Sequence, residues 1–145
     1  MTRRARWVLS PHTGGSPIPN ATQVETRRRI QDHAERCYSD RLLRLGVRFR
    51  GCFCYIDAFC EPNPPTGSEL RTLGMTRDEY MERGRSTPIH LCRLRYFGGF
   101  DRWSVAFFTY SHERYEPCVF PNGDTFGTPE QGFDVGAVYL QEGAV

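Results

Sequence analysis

The chain has 145 residues, 39% of them hydrophobic and 25% charged, which fits one globular domain with its own core and excludes a disordered chain. All 19 basic residues are arginine, so chemistry that needs a lysine is excluded: a Schiff base, a P-loop lysine, a lysine-dependent nuclease. The net charge of +2 hides an asymmetry, because residues 1–50 carry 11 Arg against 4 acids and residues 51–145 carry 8 Arg against 13; either the N-terminal part meets an anionic partner or, the commoner outcome, the two halves neutralise each other in the folded chain.

Residues 1–19 read as a flexible basic arm: Arg3, Arg4 and Arg6 precede Pro11, Gly14, Gly15, Pro17 and Pro19. Only Trp7-Val8-Leu9 stand where a secretion signal needs a longer apolar core, and no stretch approaches the ~20 apolar residues of a membrane span. The expectation is a cytoplasmic protein with reduced thiols and no membrane partner. Residues 20–145 read as a single α+β domain.

A long helix is predicted over 22–45. Thr22 and Glu25 have capping-box spacing, Val24, Ile30, Ala34, Cys37, Tyr38, Leu42 and Leu45 keep roughly one face, and Gly46 stops it. Residues 47–50 and 53–60 are rich in β-branched and aromatic side chains around Gly51, which predicts a hairpin. The Pro-rich stretch 61–67 is a loop. Ser68 is placed to cap a short helix ending at Gly74, and Thr76 a second one with Asp78 and Glu79 in its first turn. Residues 89–97 and 103–110 flank Gly98-Gly99 as a second hairpin, central to the sheet because both strands are apolar. Residues 115–120 form an edge strand, since Pro117 cannot donate to a ladder. A turn at 121–124 leads to Thr128-Pro129-Glu130, a helix start, and a short terminal helix carrying Phe133, Val135 and Val138. The predicted architecture is an antiparallel sheet of four to five strands, with one long N-terminal helix packed on it and short helices in the connections.

Three segments, VRFRG with YIDA (47–51, 55–58), HLCRLRYFG with DRWS (90–98, 101–104) and YSHERYEPC (110–118), resemble the shared motifs of a small family of uncharacterised bacterial proteins. The resemblance covers roughly residues 20–140. It implies a compact bacterial α+β domain and carries over no activity and no catalytic residue.

Four constellations have the residue types for chemistry. Cys52 with Cys54, and His90 with Cys92, are two apart, so each pair shares a strand face, and neighbouring strands would bring four ligands to a zinc ion. Structural zinc sites use Cys-x2–4-Cys knuckles on turns, so the expectation is buried thiols, no metal and no cofactor. His112 is a candidate general base, with Glu113 to orient it and Arg102 or Arg114 to stabilise an anionic transition state; the bland alternative is a polar turn between strands. The Arg85-x4-His90 spacing of some helical RNases is interrupted here by Pro88 and a strand, so it is rejected. Arg48 and Arg50 share a strand face, as do Arg93 and Arg95; Phe49, Tyr96 and Trp103 lie between them in sequence, the mixture that sheet-surface RNA binders use. Alternation sets Arg93 and Arg95 opposite Tyr96, however, and cross-strand pairing with Asp57, Asp101 or Glu113 is the commoner fate of such arginines. The expected function is therefore a non-enzymatic binding module for nucleic acid or another protein, with Arg3, Arg4, Arg6, Arg27, Arg28 and Arg29 as the basic contact. The alternative is a small metal-independent nuclease using His112 and Glu113.

Overall fold

The computed structural model of the protein describes residues 14–141. Four-residue spacing puts Thr22, Thr26, Ile30 and Ala34 on one stripe, and that stripe is what the first helix, α1 (Asn20–Tyr38), buries. The helix differs at both ends from the predicted 22–45. Thr22 faces the core instead of capping, and the N-cap is Pro19, with no side-chain hydrogen bond. Val24 falls off the stripe and is 71% exposed. The chain turns after Tyr38, where Arg41 N–H donates to the Tyr38 carbonyl, and Leu45 and Gly46 join a strand. Period-two alternation of Leu45, Val47 and Phe49, rewarded by pairing with the next strand, outcompetes further helix.

That strand, β1 (Arg44–Arg50), forms a hairpin with β2 (Phe53–Phe59) around Gly51, whose φ of 61° is left-handed. Two short helices follow, α2 (Gly67–Leu73) and α3 (Arg77–Ser86). Both open on Thr-x-x-Glu capping boxes, Thr66 with Glu69 and Thr76 with Glu79. Thr66 thus takes the role expected of Ser68, because only Thr66 has an acid three residues on. The second hairpin joins β3 (Ile89–Tyr96) to β4 (Trp103–Thr109), and β5 (Arg114–Cys118) closes the edge. The sheet is antiparallel in the order β1-β2-β3-β4-β5, with a bulge at Ile56/Asp57. Thr128 caps α4 (Pro129–Gly136) in a third capping box, and α5 (Val138–Gln141) ends the described chain. This is the predicted α+β architecture. No helix among the described residues is long and apolar enough to cross a membrane.

Of the predicted arm, residues 1–13 lie outside the described residues. The remainder is docked: Ser16 N–H donates to Tyr96 O at 2.9 Å and Ile18 is buried in the core. The packed unit therefore starts before residue 20.

Helices α1 and α4 lie on one face of the sheet. The residues of that face, Val47, Cys54, Ile56, Leu94, Trp103 and Val105, make the core with Ile30, Phe133 and Leu140. Two glycines set how close α4 comes. A Cβ on Gly132 would run into the Leu94 side chain, and one on Gly136 would stand 2.5 Å from the Leu91 carbonyl oxygen. Gly-to-Ala in a helix ordinarily stabilises by up to ~1 kcal/mol. Here the sign reverses, because backbone cannot yield as a side-chain tip can, and overpacking costs ~1–3 kcal/mol. Gly136→Ala is expected to lower the melting temperature by several degrees, measured by circular dichroism; an unchanged or raised value would mean that α4 does not sit on β3 as described.

Candidate functional site

The arginines of α1 are already engaged. Arg27 donates to the Val47 carbonyl at 2.6 Å and lies 5.2 Å from the Phe49 ring centroid. Arg28 is bound by Glu25 and, at 2.9 Å, by Asp32. Arg29 binds Glu130 and Asp101, each at 2.7 Å, tying α1 to the start of α4 and to the β3–β4 turn. Of the basic face expected of this helix, Arg28 and Arg29 thus have carboxylate partners, and Arg27 is held by a carbonyl and a ring. Arg3, Arg4 and Arg6 lie outside the described residues.

The four candidate zinc ligands do not converge. Cys54 and Cys92 point into the core, His90 points from the opposite face, and Cys52 sits in the β1–β2 turn. Burial pushes the Cys54 thiol up to about 12 and the Cys92 thiol higher than its usual range, which opposes the thiolate a metal requires. The His112 set is also dispersed. His112 Nδ1 lies 2.7 Å from Glu116 Oε1, not on Glu113. Glu113 is exposed at the turn, with a φ of 53°. Arg114 Nε also reaches Glu116, whereas Arg102 stacks 4.0 Å from the Phe126 ring at the far end of β4.

A constellation with chemical potential lies on the other face of the sheet, which no helix among the described residues covers. Alternation puts Arg44, Arg48 and Arg50 of β1, Arg93 and Arg95 of β3, and Asp57 of β2 on this face: five arginines against one carboxylate on the strands. Aromatic rings run between them. Phe53 to Tyr55 is 6.1 Å between centroids, Tyr55 to Tyr115 5.6 Å, Tyr115 to Phe108 5.1 Å and Phe108 to His90 4.8 Å. Tyr115 reaches from edge strand β5, past its β4 partner Phe108, toward Tyr55 on β2, over the small Ala106 that faces the same side. The arginines stack on the rings. Arg93 lies 4.2 Å from Phe53 and 5.4 Å from Tyr115, Arg48 4.9 Å from Tyr55, and Arg44 3.6 Å from Phe59. Arg93 has no carboxylate partner among the described residues, so its edge N–H groups remain available while its plane is fixed. Arg95 is buried under Gly15.

The same face holds a proton-transfer pair. His90 Nδ1 is 2.8 Å from Asp57 Oδ1, and Arg48 reaches Asp57 Oδ2 at 3.3 Å. Asp57 is buried, while His90 is one-third exposed. The aromatics expected to interleave with the arginines, Phe49, Tyr96 and Trp103, all lie on the packed face instead. The effective set is Phe53, Tyr55, Phe108 and Tyr115, and counting alternation outward from Arg48 and Arg93 with the hairpin register would have found it.

Cys37 Sγ lies 3.8 Å from His33 Nδ1, and His33 Nε2 2.7 Å from Asp134, in the order of a thiol nucleophile, its base and an orienting acid. The sulfur sits at the C-terminal end of α1, where the helix dipole opposes a thiolate, so the arrangement serves to tie α1 to α4. Tyr38 donates to the same Asp134 at 2.9 Å. A concavity of about 300 Å³ beside α2 and α3 is lined mostly by apolar groups, among them Cys60, Leu73, Met75, Tyr80 and Ile89, without converging polar groups of one kind.

Comparison with family models, with curated proteins and with solved structures yields no match.

The α1–α4 clamp has a defined pH signature. Burial alone would raise the Glu130 carboxyl, but the bonds from Arg29 outweigh it and hold the group below its ordinary 4.5. A carboxyl depressed in the folded state contributes stability above its unfolded pKa and loses it as pH falls through the folded value. The stability advantage of the natural chain over Glu130→Gln is therefore expected to be full at neutral pH and to shrink below about pH 4.5. Thermal melts across that range check it; a gap independent of pH would mean the clamp is not ionic.

Proposed function

We propose that the protein binds single-stranded nucleic acid across the uncovered sheet face, with bases on Phe53, Tyr55 and Tyr115 and phosphates on Arg48, Arg50 and Arg93. The observation that carries this reading is Arg93, held between two rings and without a carboxylate partner among the described residues. A guanidinium whose only role was to close a surface ion pair would sit on an acid, as Arg28 and Arg29 do. Here the plane is stacked and the donor edge is left for an anion, the combination that sheet-surface binders of single strands use. The rings stand at 51° to 72° to one another, so each offers a separate surface beside the arginines; unpaired bases, which expose their π-faces one at a time, suit such a row, whereas a duplex keeps its bases stacked on each other. Recognition would then be tolerant of sequence and steep in salt.

Fluorescence anisotropy with labelled oligo(U) and oligo(dT) at low and moderate salt tests the reading. Binding is expected to weaken with salt. Tyr115→Ala is expected to lower affinity roughly 5- to 100-fold, the range for loss of one stacked base. Arg93→Ala should lower affinity and reduce the salt slope by about one. Arg28→Ala, on the opposite layer, should leave affinity unchanged. No binding at low salt, or a loss in Arg28→Ala greater than in Arg93→Ala, would overturn the proposal.

A further inference from the structure

We infer that the uncovered face also cleaves RNA, with His90 as general base and Asp57 as its positioning residue. The inference rests on the nucleic-acid reading above and adds a reaction to it. Three observations carry it. First, Asp57 is 7% exposed and its Oδ1 accepts from His90 Nδ1–H, so the tautomer and tilt of the ring are fixed from below. Second, the ring is one-third exposed and its other nitrogen, Nε2, meets no hydrogen-bonding group among the described residues, so the basic lone pair faces outward. Third, the ring edge is held by Phe108 at 4.8 Å and Tyr115 at 6.4 Å between centroids, and the arginine rows of β1 and β3 flank it. A base held from beneath by a carboxylate, on a surface of arginines and base-stacking rings, is the donor set for phosphodiester chemistry without a metal.

The substrate hydroxyl must be supplied by the nucleic acid itself, which makes RNA the substrate. His90 Nε2 takes the proton of a 2′-hydroxyl. The 2′ oxygen forms a bond to the adjacent phosphorus, and the bond from phosphorus to the 5′ oxygen breaks. The leaving 5′ oxygen takes a proton from water, and His90 returns its proton to water. The products are a 2′,3′-cyclic phosphate and a 5′-hydroxyl, with no net water consumed. Arg48 and Arg93 face the phosphate and oppose the charge that develops on its oxygens. The charged and titratable groups on this side of His90 are Asp57 from β2, Arg48 from β1, Arg93 from β3, Tyr115 from β5, and Tyr110 from the turn after β4, whose hydroxyl accepts the His90 N–H at 2.8 Å. Asp57 is the only carboxylate among them.

The experiment incubates the full chain with a 5′-labelled single-stranded RNA, its all-deoxy counterpart, and an RNA with one 2′-deoxy position, in the presence of EDTA. Products are read by gel and mass spectrometry, and affinity is read in parallel by anisotropy. The inference expects RNA cleavage to cyclic-phosphate ends, none at deoxy positions, and none of the all-deoxy strand. In His90→Gln, whose melting temperature is checked alongside, cleavage should fall by about 100-fold or more while affinity stays the same. Asp57→Asn removes the charge but keeps the shape. It should slow cleavage, and Asp57→Glu, which restores the carboxylate, should recover part of the rate; a merely structural role would favour the isosteric Asn over the longer Glu. Binding without cleavage, or equal cleavage by His90→Gln, overturns this inference and leaves the binding reading standing. No binding at all removes both.

Discussion

The close seat of α4 on β3, where Gly136 leaves no space against the Leu91 carbonyl, decides which face of the sheet is packed. Once α4 and α1 occupy that face, strand alternation assigns every second residue to the core and every other one to the opposite surface. Val47, Cys54, Ile56, Leu94, Trp103 and Val105 go one way. Arg48, Tyr55, Asp57, Arg93 and Tyr115 go the other. The other face is thus left without a helix among the described residues, with Gly15 lying over Arg95. Its aromatic content has no comparable explanation in packing, since an antiparallel sheet with one solvated face ordinarily shows polar residues there.

Charge is distributed accordingly. The excess of arginine in residues 1–50 suggests a basic helix, yet the fold brings acids from the C-terminal half to that helix: Asp101 and Glu130 on Arg29, Asp134 on His33. What remains positive is the sheet face, where Asp57 stands alone among five arginines on the strands. Asp57 itself is shared by Arg48 and His90, so its presence orders the imidazole more than it neutralises the surface. The proposed binding and proton transfer thus share one face, and α1 and α4 hold the strands that build it.

The strands and turns were legible because local chemistry dictates them: Gly51 for the first hairpin, Gly98-Gly99 for the second, Pro117 for the edge, Thr128-Pro129 for α4. The end of α1 was not, because Leu42 and Leu45 continue a helical stripe while Leu45, Val47 and Phe49 also alternate, and only pairing with β2 decides between the two patterns. The site was half legible. Arg48 with Arg50 and Arg93 with Arg95 were visible as face-sharing pairs. Which rings accompany them depends on register across strands, and Arg48 opposite Tyr55 opposite Arg93 is a relation no single segment contains. The Asp57–His90 contact joins residues 33 apart across a bulge, so spacing within either strand could not announce it.

In the proposed mode of binding, the sheet face that no described helix covers, and not the helical layer, meets the nucleic acid. An amide and aromatic NMR titration of the full chain with a short oligo(U) addresses this most directly. Shift changes are expected to concentrate on the residues of β1, β2, β3 and β5 that face away from the helices, with the rings of Phe53, Tyr55 and Tyr115 broadened or shifted, while Arg28, Arg29 and the exposed side of α1 remain in place. Changes confined to α1 and α4, with the Tyr55 and Tyr115 signals unmoved at saturation, would contradict it.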